Sequence, residues 1–198
     1  MRLAMIAALE PGDERYAAEQ ELFRLLLDLR SRATNERRLA FIATGRQRLT
    51  PDSRHEPAAW DLLAEAGEVI GERERAATLE EQAAKRAEER GDSEAAAGFR
   101  LRAGGFLFQA EKYKEAGEVL LRIVKEPKAG ALRAKAGMLR VLALGRLLET
   151  NRTSDGSASY QEALREQIRD FPDDSSTDEA RWLLGVLYRG TGRARQAE

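Results

Sequence analysis

Ser93-Glu94-Ala95-Ala96-Ala97-Gly98-Phe99-Arg100-Leu101-Arg102-Ala103-Gly104-Gly105-Phe106-Leu107-Phe108-Gln109-Ala110 reads as one helix, and Tyr113 to Glu126 reads as the next, closed by Pro127. Only Glu111-Lys112 separates them. The same alternation runs outward in both directions. Towards the N-terminus, Pro11-Gly12-Asp13 precedes an amphipathic stretch from Glu14 to Arg32, with Leu22, Leu25, Leu26 and Leu29 at helical spacing. A second stretch, Glu36 to Leu49, stops at Thr50-Pro51. Ser53 and Glu56 have capping-box spacing before a helix from Pro57 to Ile70, and a highly charged one from Glu72 to Arg90 ends at Gly91. Towards the C-terminus, Lys128 to Thr150 carries a continuous Leu/Val/Met face, and Asn151 to Ser157 is a polar, turn-rich linker. Ser159 with Glu162 opens a helix through Arg169, ended by Phe171-Pro172-Asp173-Asp174. Ser176 with Glu179 starts a last one, Asp178 to Arg189, stopped by Gly190-Thr191-Gly192.

Composition agrees with an all-α chain. Among 198 residues there are 33 Ala and 26 Leu but only 5 Val and 5 Ile, which favours helix and nearly excludes an all-β or parallel α/β fold. With 33 basic and 34 acidic residues there is no basic excess, which argues against a dedicated nucleic-acid binder. The absence of Cys removes thiol catalysis, thiolate zinc sites and disulfides. No apolar run approaches the ~18 residues of a membrane span. At the N-terminus Arg2 and the apolar Leu3 to Leu9 look like a very short signal segment. The run is at the lower limit of such a region, Glu10 interrupts the cleavage zone, and no Cys offers lipid attachment. A short helix or lead-in is the reading adopted, and a cytoplasmic location is favoured over a periplasmic one.

A two-helix unit cannot bury its apolar face alone, whereas stacked units form a continuous core. The expectation is therefore a right-handed α-solenoid of about five antiparallel hairpins. A larger globular helical domain is the competing architecture.

The last unit carries a family signature: Trp182-Leu183-Leu184-Gly185-Val186-Leu187-Tyr188, Gly190-Thr191-Gly192, and Ala197. With Ala163 placed 34 residues before Ala197, this resembles the tetratricopeptide repeat, a helix-turn-helix unit of that length. The resemblance implies packing roles for Gly185, Tyr188, Ala163 and Ala197. The segment Phe171 to Ala180 is similar to an inter-repeat turn of bacterial members. The unit from Ala97 fits too: Gly104 takes the small position, Leu107 replaces the aromatic, and Lys112-Tyr113-Lys114-Glu115-Ala116 resembles the charged turn into the second helix. Around Trp60, Leu63 and Ala64 the likeness is looser, with Gly67 in place of an aromatic and Glu80 at an apolar position. The expected layout is a degenerate N-terminal region (1–52) and an array (53–198) with units at about 57–91, 93–127, 128–172 and an incomplete 177–198. The third unit carries an insertion of about a dozen residues, assigned to the 151–157 linker.

Several residue groups were weighed as chemistry. His55, the one imidazole, has no visible co-ligands or nucleophile and reads as an exposed turn residue. Asp61, Glu65 and Glu68 share a helix face, which reads as a solvated or partner-facing surface in the absence of a nucleophile or cofactor loop. Arg133, Lys135, Arg140 and Arg146 could take an acidic peptide or phosphate, or simply form the polar face of their helix. Glu72 to Arg90 mixes charges and reads as a salt-bridged solvent face. No strand precedes Gly104-Gly105, so it is no nucleotide loop.

The resemblance implies a concave peptide-binding groove. Leu101, Gly105, Phe108 and Gln109 would line it in one unit, and Trp182, Val186 and Arg189 in the last. The expected function is a protein–protein interaction scaffold or adaptor, with no enzymatic activity, cofactor or metal. The alternative is a non-catalytic accessory region of a larger enzyme or of a cell-envelope assembly protein. The chain stops at Arg195-Gln196-Ala197-Glu198 as a new helix is due, so an uncapped end could support self-association.

Overall fold

The computed structural model describes residues 2–32, 34–151 and 153–190, and every regular element among them is helical. They are α1 (Arg2–Ala8), α2 (Asp13–Arg30), α3 (Asn35–Arg46), α4 (Pro57–Val69), α5 (Arg73–Glu89), α6 (Ser93–Gln109), α7 (Tyr113–Val124), α8 (Leu132–Thr150), α9 (Ser154–Asp170) and α10 (Thr177–Gly190). A 3-10 turn, Pro127–Ala129, precedes α8. The chain divides into two compact units, 1–106 and 107–198, with the division in the last turn of α6. Helices that follow one another in sequence pack together. In the first unit α3 lies on α4, α4 on α5, and α2 touches both α3 and α4. In the second, α7 packs on α8, α8 on α9, and α9 on α10.

Three of the turns are built alike. Glu72, Asp92 and Lys112 each donate their backbone N–H to a carbonyl five residues back, that of Gly67, Ala87 and Leu107, at 2.8, 2.9 and 2.9 Å. This is the bonding of a Schellman helix end, which needs a left-handed residue just before the donor. Gly71 and Gly91 supply it at φ 84° and 79°, and Glu111 does so at φ 61°. The repeating element is thus one helix plus its turn, twenty residues long. Leu63, Ala83, Ala103, Ile123, Ala143 and Ala163 recur at that interval, all buried. Because most are Ala, neighbouring backbones can approach closely while Leu62, Leu79, Leu120 and Leu164 fill the flanks. Arg73, Tyr113 and Ser154 open α5, α7 and α9 at intervals of 40 and 41 residues, longer than the 34 of the expected unit.

The extra length lies in the helices. α8 has 19 residues and α9 has 17, while the connection between them shrinks to Asn151 to Thr153. No insertion loop occupies 151–157. The Thr153 side chain caps α9 by accepting from Gly156 N–H at 3.0 Å, so the helix begins five residues before the expected Ser159 box. At α4 the N-cap is Glu56 rather than Ser53, and Pro57 at the first turn sets the start without a side-chain cap. α2 buries Glu19, Phe23 and Leu26, with Leu22 and Leu29 half-buried beside them; of the expected face Leu25 alone is exposed. The N-terminal apolar run forms α1, with Ile6 buried.

Close approaches between helices are made by glycine. A Cβ on Gly45 of α3 would sit 2.9 Å from the Ala66 carbonyl oxygen of α4. On α8, a Cβ at Gly145 would meet the Tyr160 ring of α9 at 3.3 Å.

Candidate functional site

In the second unit α8, α9 and α10 enclose an apolar cleft of about 680 Å³. Gly145 and Leu148 form its α8 wall, Tyr160 its floor, and Trp182, Leu183, Val186 and Leu187 its α10 wall. The spacing of α10 explains the arrangement. Ala180 and Tyr188 face the core, whereas Trp182 and Val186 lie on the opposite side, 63% and 39% exposed. Tyr188 is fixed by two donors from α9, Arg165 Nη2 at 2.9 Å and Gln161 Nε2 at 3.2 Å. Glu149 lines the mouth. Burial, together with the charges of Glu149 and Glu179, pushes the Tyr160 phenol above its ordinary value, so it stays neutral and apolar-facing. The lining is mainly apolar, with Glu149, Thr153 and Ser157 among its polar members.

The structure distributes the other expected groove residues differently. Leu101 and Gly105 are half-buried in the first unit. In the second unit Phe108 packs its ring edge on Tyr113 at 5.4 Å and is also half-buried, with Gln109 exposed beside it. Arg189 is exposed beyond Val186 and does not line the cleft. Of the packing residues, Gly104, Ala116, Ala163 and Tyr188 are buried. Among the described residues nothing lies within 4 Å of the position a Cβ on Gly185 would take. Its expected partner Ala197 lies outside the described residues.

The arginines of α8 are mostly engaged in contacts within the second unit. Arg133 Nε donates to the Val124 carbonyl at 2.9 Å, satisfying the end of α7, and its guanidinium lies over Phe171. Arg140 pairs with Glu166 of α9 at 2.5 Å, and Arg146 with Glu149 at 2.9 Å. Lys135 is exposed.

In the first unit the structure shows a buried charge network that sequence reasoning placed on the surface. Asp61 of α4 and Glu80 of α5 are both buried. Arg102 of α6 bridges them, with Nε 2.9 Å from Glu80 and Nη2 2.8 Å from Asp61. Arg30 of α2 donates to Asp61 at 2.6 Å and to Glu65 at 2.7 Å. Burial and the neighbouring Asp61 charge push the Glu80 carboxyl up to about 8, against the pull of Arg102. The charged run 72–90 is therefore a solvent face on one side only, since Leu79, Glu80, Ala83 and Ala84 point inward. The sequence signal was Glu80 itself, a carboxylate at an apolar position.

His55 is likewise buried, at 1% exposure, and not an exposed turn residue. Its ring sits 4.7 Å from Tyr16, 5.1 Å from Phe23 and 6.4 Å from Trp60. Nδ1 lies 3.1 Å from the Asp52 carbonyl, and Nε2 faces the buried Glu19 at 3.8 Å. Among the described residues no group of three or more His, Asp or Glu is assembled to hold a metal ion. No described helix is long and apolar enough to cross a membrane.

No protein-family model matches the chain, and no curated protein matches it either.

Proposed function

We propose that this protein is a non-enzymatic interaction module whose contact face is the α8–α10 cleft and the outer side of α10. The observation that carries this reading is Trp182: a large apolar side chain, 63% exposed, at the lip of a cleft of about 680 Å³. Aromatic anchors beside apolar pockets dominate the energetics of partner interfaces. The sequential packing of helices within each unit supports a helical-repeat architecture akin to that of tetratricopeptide arrays. A peptide or partner helix would lay an apolar edge against Leu148, Leu183 and Val186.

Site-specific photocrosslinking tests this. A benzoylphenylalanine placed at Trp182 should give discrete protein adducts in cells, and one at the exposed Lys114 should not. The absence of an adduct at Trp182, or identical adducts at both positions, would overturn the reading.

A further inference from the structure

The exposed side of α10 has an internal symmetry. Glu179, Trp182, Val186 and Arg189 are all exposed. At 100° per residue they form one stripe running along the helix. Their order is acidic, aromatic, aliphatic, basic. Glu179 and Arg189 are equidistant from Leu184, and so are Trp182 and Val186. Turned end over end, the stripe therefore places each residue opposite its complement: acid against base, indole against aliphatic.

We propose that this stripe is the contact face of a homodimer, in which α10 packs antiparallel on α10 of a second copy about a two-fold axis at Leu184. The proposal rests on the reading of the Trp182 face as an interface and names its occupant. An isologous contact requires one patch to carry both halves of each interaction, which this stripe does. Trp182 lies over Val186 of the second copy and reaches the apolar cleft beside it, where Leu183 and Leu187 continue the surface. Glu179 meets Arg189 of the second copy at both ends. Parallel pairing would instead set Glu179 against Glu179 and Arg189 against Arg189, so the charges select the antiparallel arrangement. Gly185 leaves room beside the stripe: among the described residues no atom lies within 4 Å of the position its Cβ would take.

Sedimentation velocity on the full chain, over about 1–100 µM to cover a weak to moderate dimer, tests this. The wild type should show a monomer–dimer equilibrium. Glu179→Arg and Arg189→Glu should each weaken it by about tenfold or more, because each sets like charges together at both ends. The double variant carrying both reversals should recover dimerisation. Trp182→Ala should abolish it, with the helical circular dichroism unchanged because the side chain is exposed. A chain that stays monomeric throughout overturns the proposal. So does a dimer indifferent to Trp182→Ala, or a double variant that fails to recover. A monomer that nonetheless crosslinks through position 182 to a different protein removes the second copy as occupant and leaves the interaction face standing. A monomer with no adduct removes both.

Discussion

Arg102 holds Glu80 at 2.9 Å across the α5–α6 contact, and the Glu80 side chain is fully buried while that of Arg102 is 43% exposed. The acid thus carries the burial and the base keeps contact with water. Asp61, also on Arg102, shares the guanidinium and raises the cost of ionising Glu80.

That relationship sets a pH dependence. Glu80 titrates near 8 in the folded chain, against an ordinary 4.5. Between those values the folded state binds more protons than the unfolded state, so stability falls as pH rises through this window. Below 4.5 the contribution is complete, and above 8 it is gone. Urea denaturation at intervals from pH 5 to 9 should show a downward slope in the wild type that Glu80→Gln flattens. Equal slopes in both proteins would contradict the assignment.

Removing the base should expose the same coupling. Arg102→Met leaves two buried carboxylates without their shared partner and should destabilise the chain by about 2–3 kcal/mol at pH 9, less than for a wholly buried pair because Arg102 is partly exposed. At pH 5, where Glu80 is protonated, the loss should shrink. A loss independent of pH would mean that the packing of the Arg102 stem matters rather than its charge.

His55 gives a sharper contrast between two readings. Truncating an exposed turn residue costs within about 0.5 kcal/mol. The ring here fills space among Tyr16, Phe23 and Trp60, so His55→Ala should cost about 2–4 kcal/mol through cavity formation, measured by chemical denaturation.

Two glycines should respond oppositely to the same change. Gly45→Ala drives a Cβ to 2.9 Å from a backbone carbonyl of α4 and should destabilise by about 1–3 kcal/mol. Gly185→Ala adds a Cβ into open space in a helix and should stabilise by about 0.5–1 kcal/mol. Thermal unfolding of the two variants checks both signs.

What the sequence could and could not disclose divides along a physical line. Helix existence was legible because Ala and Leu at helical spacing and the Gly71, Gly91 and Thr50-Pro51 breaks are local signals. Trp182 read as a groove residue only through the family resemblance, and its exposure comes from the structure. Facing was less legible where buried charge replaces apolar surface. Asp61 read as a solvent-side residue, and Glu80 sat within a run read as a salt-bridged solvent face; only the arrival of Arg102 and Arg30 from other helices makes their burial affordable. His55 sits in a polar stretch whose ring partners come from α2 and α4, out of sight of any local pattern. Gly185 meets no close neighbour among the described residues. A glycine marks a close approach only if another backbone comes near it, and at Gly45 one does.

The central claim, that Trp182 anchors a contact between α10 and α10 of a second copy, is tested most directly by the fluorescence of that residue. The difference in emission between the wild type and Trp182→Phe isolates it from the buried Trp60. The account predicts that this difference spectrum shifts to the blue and becomes protected from acrylamide as protein concentration rises. An emission from Trp182 that remains red and fully quenchable at every concentration would contradict it.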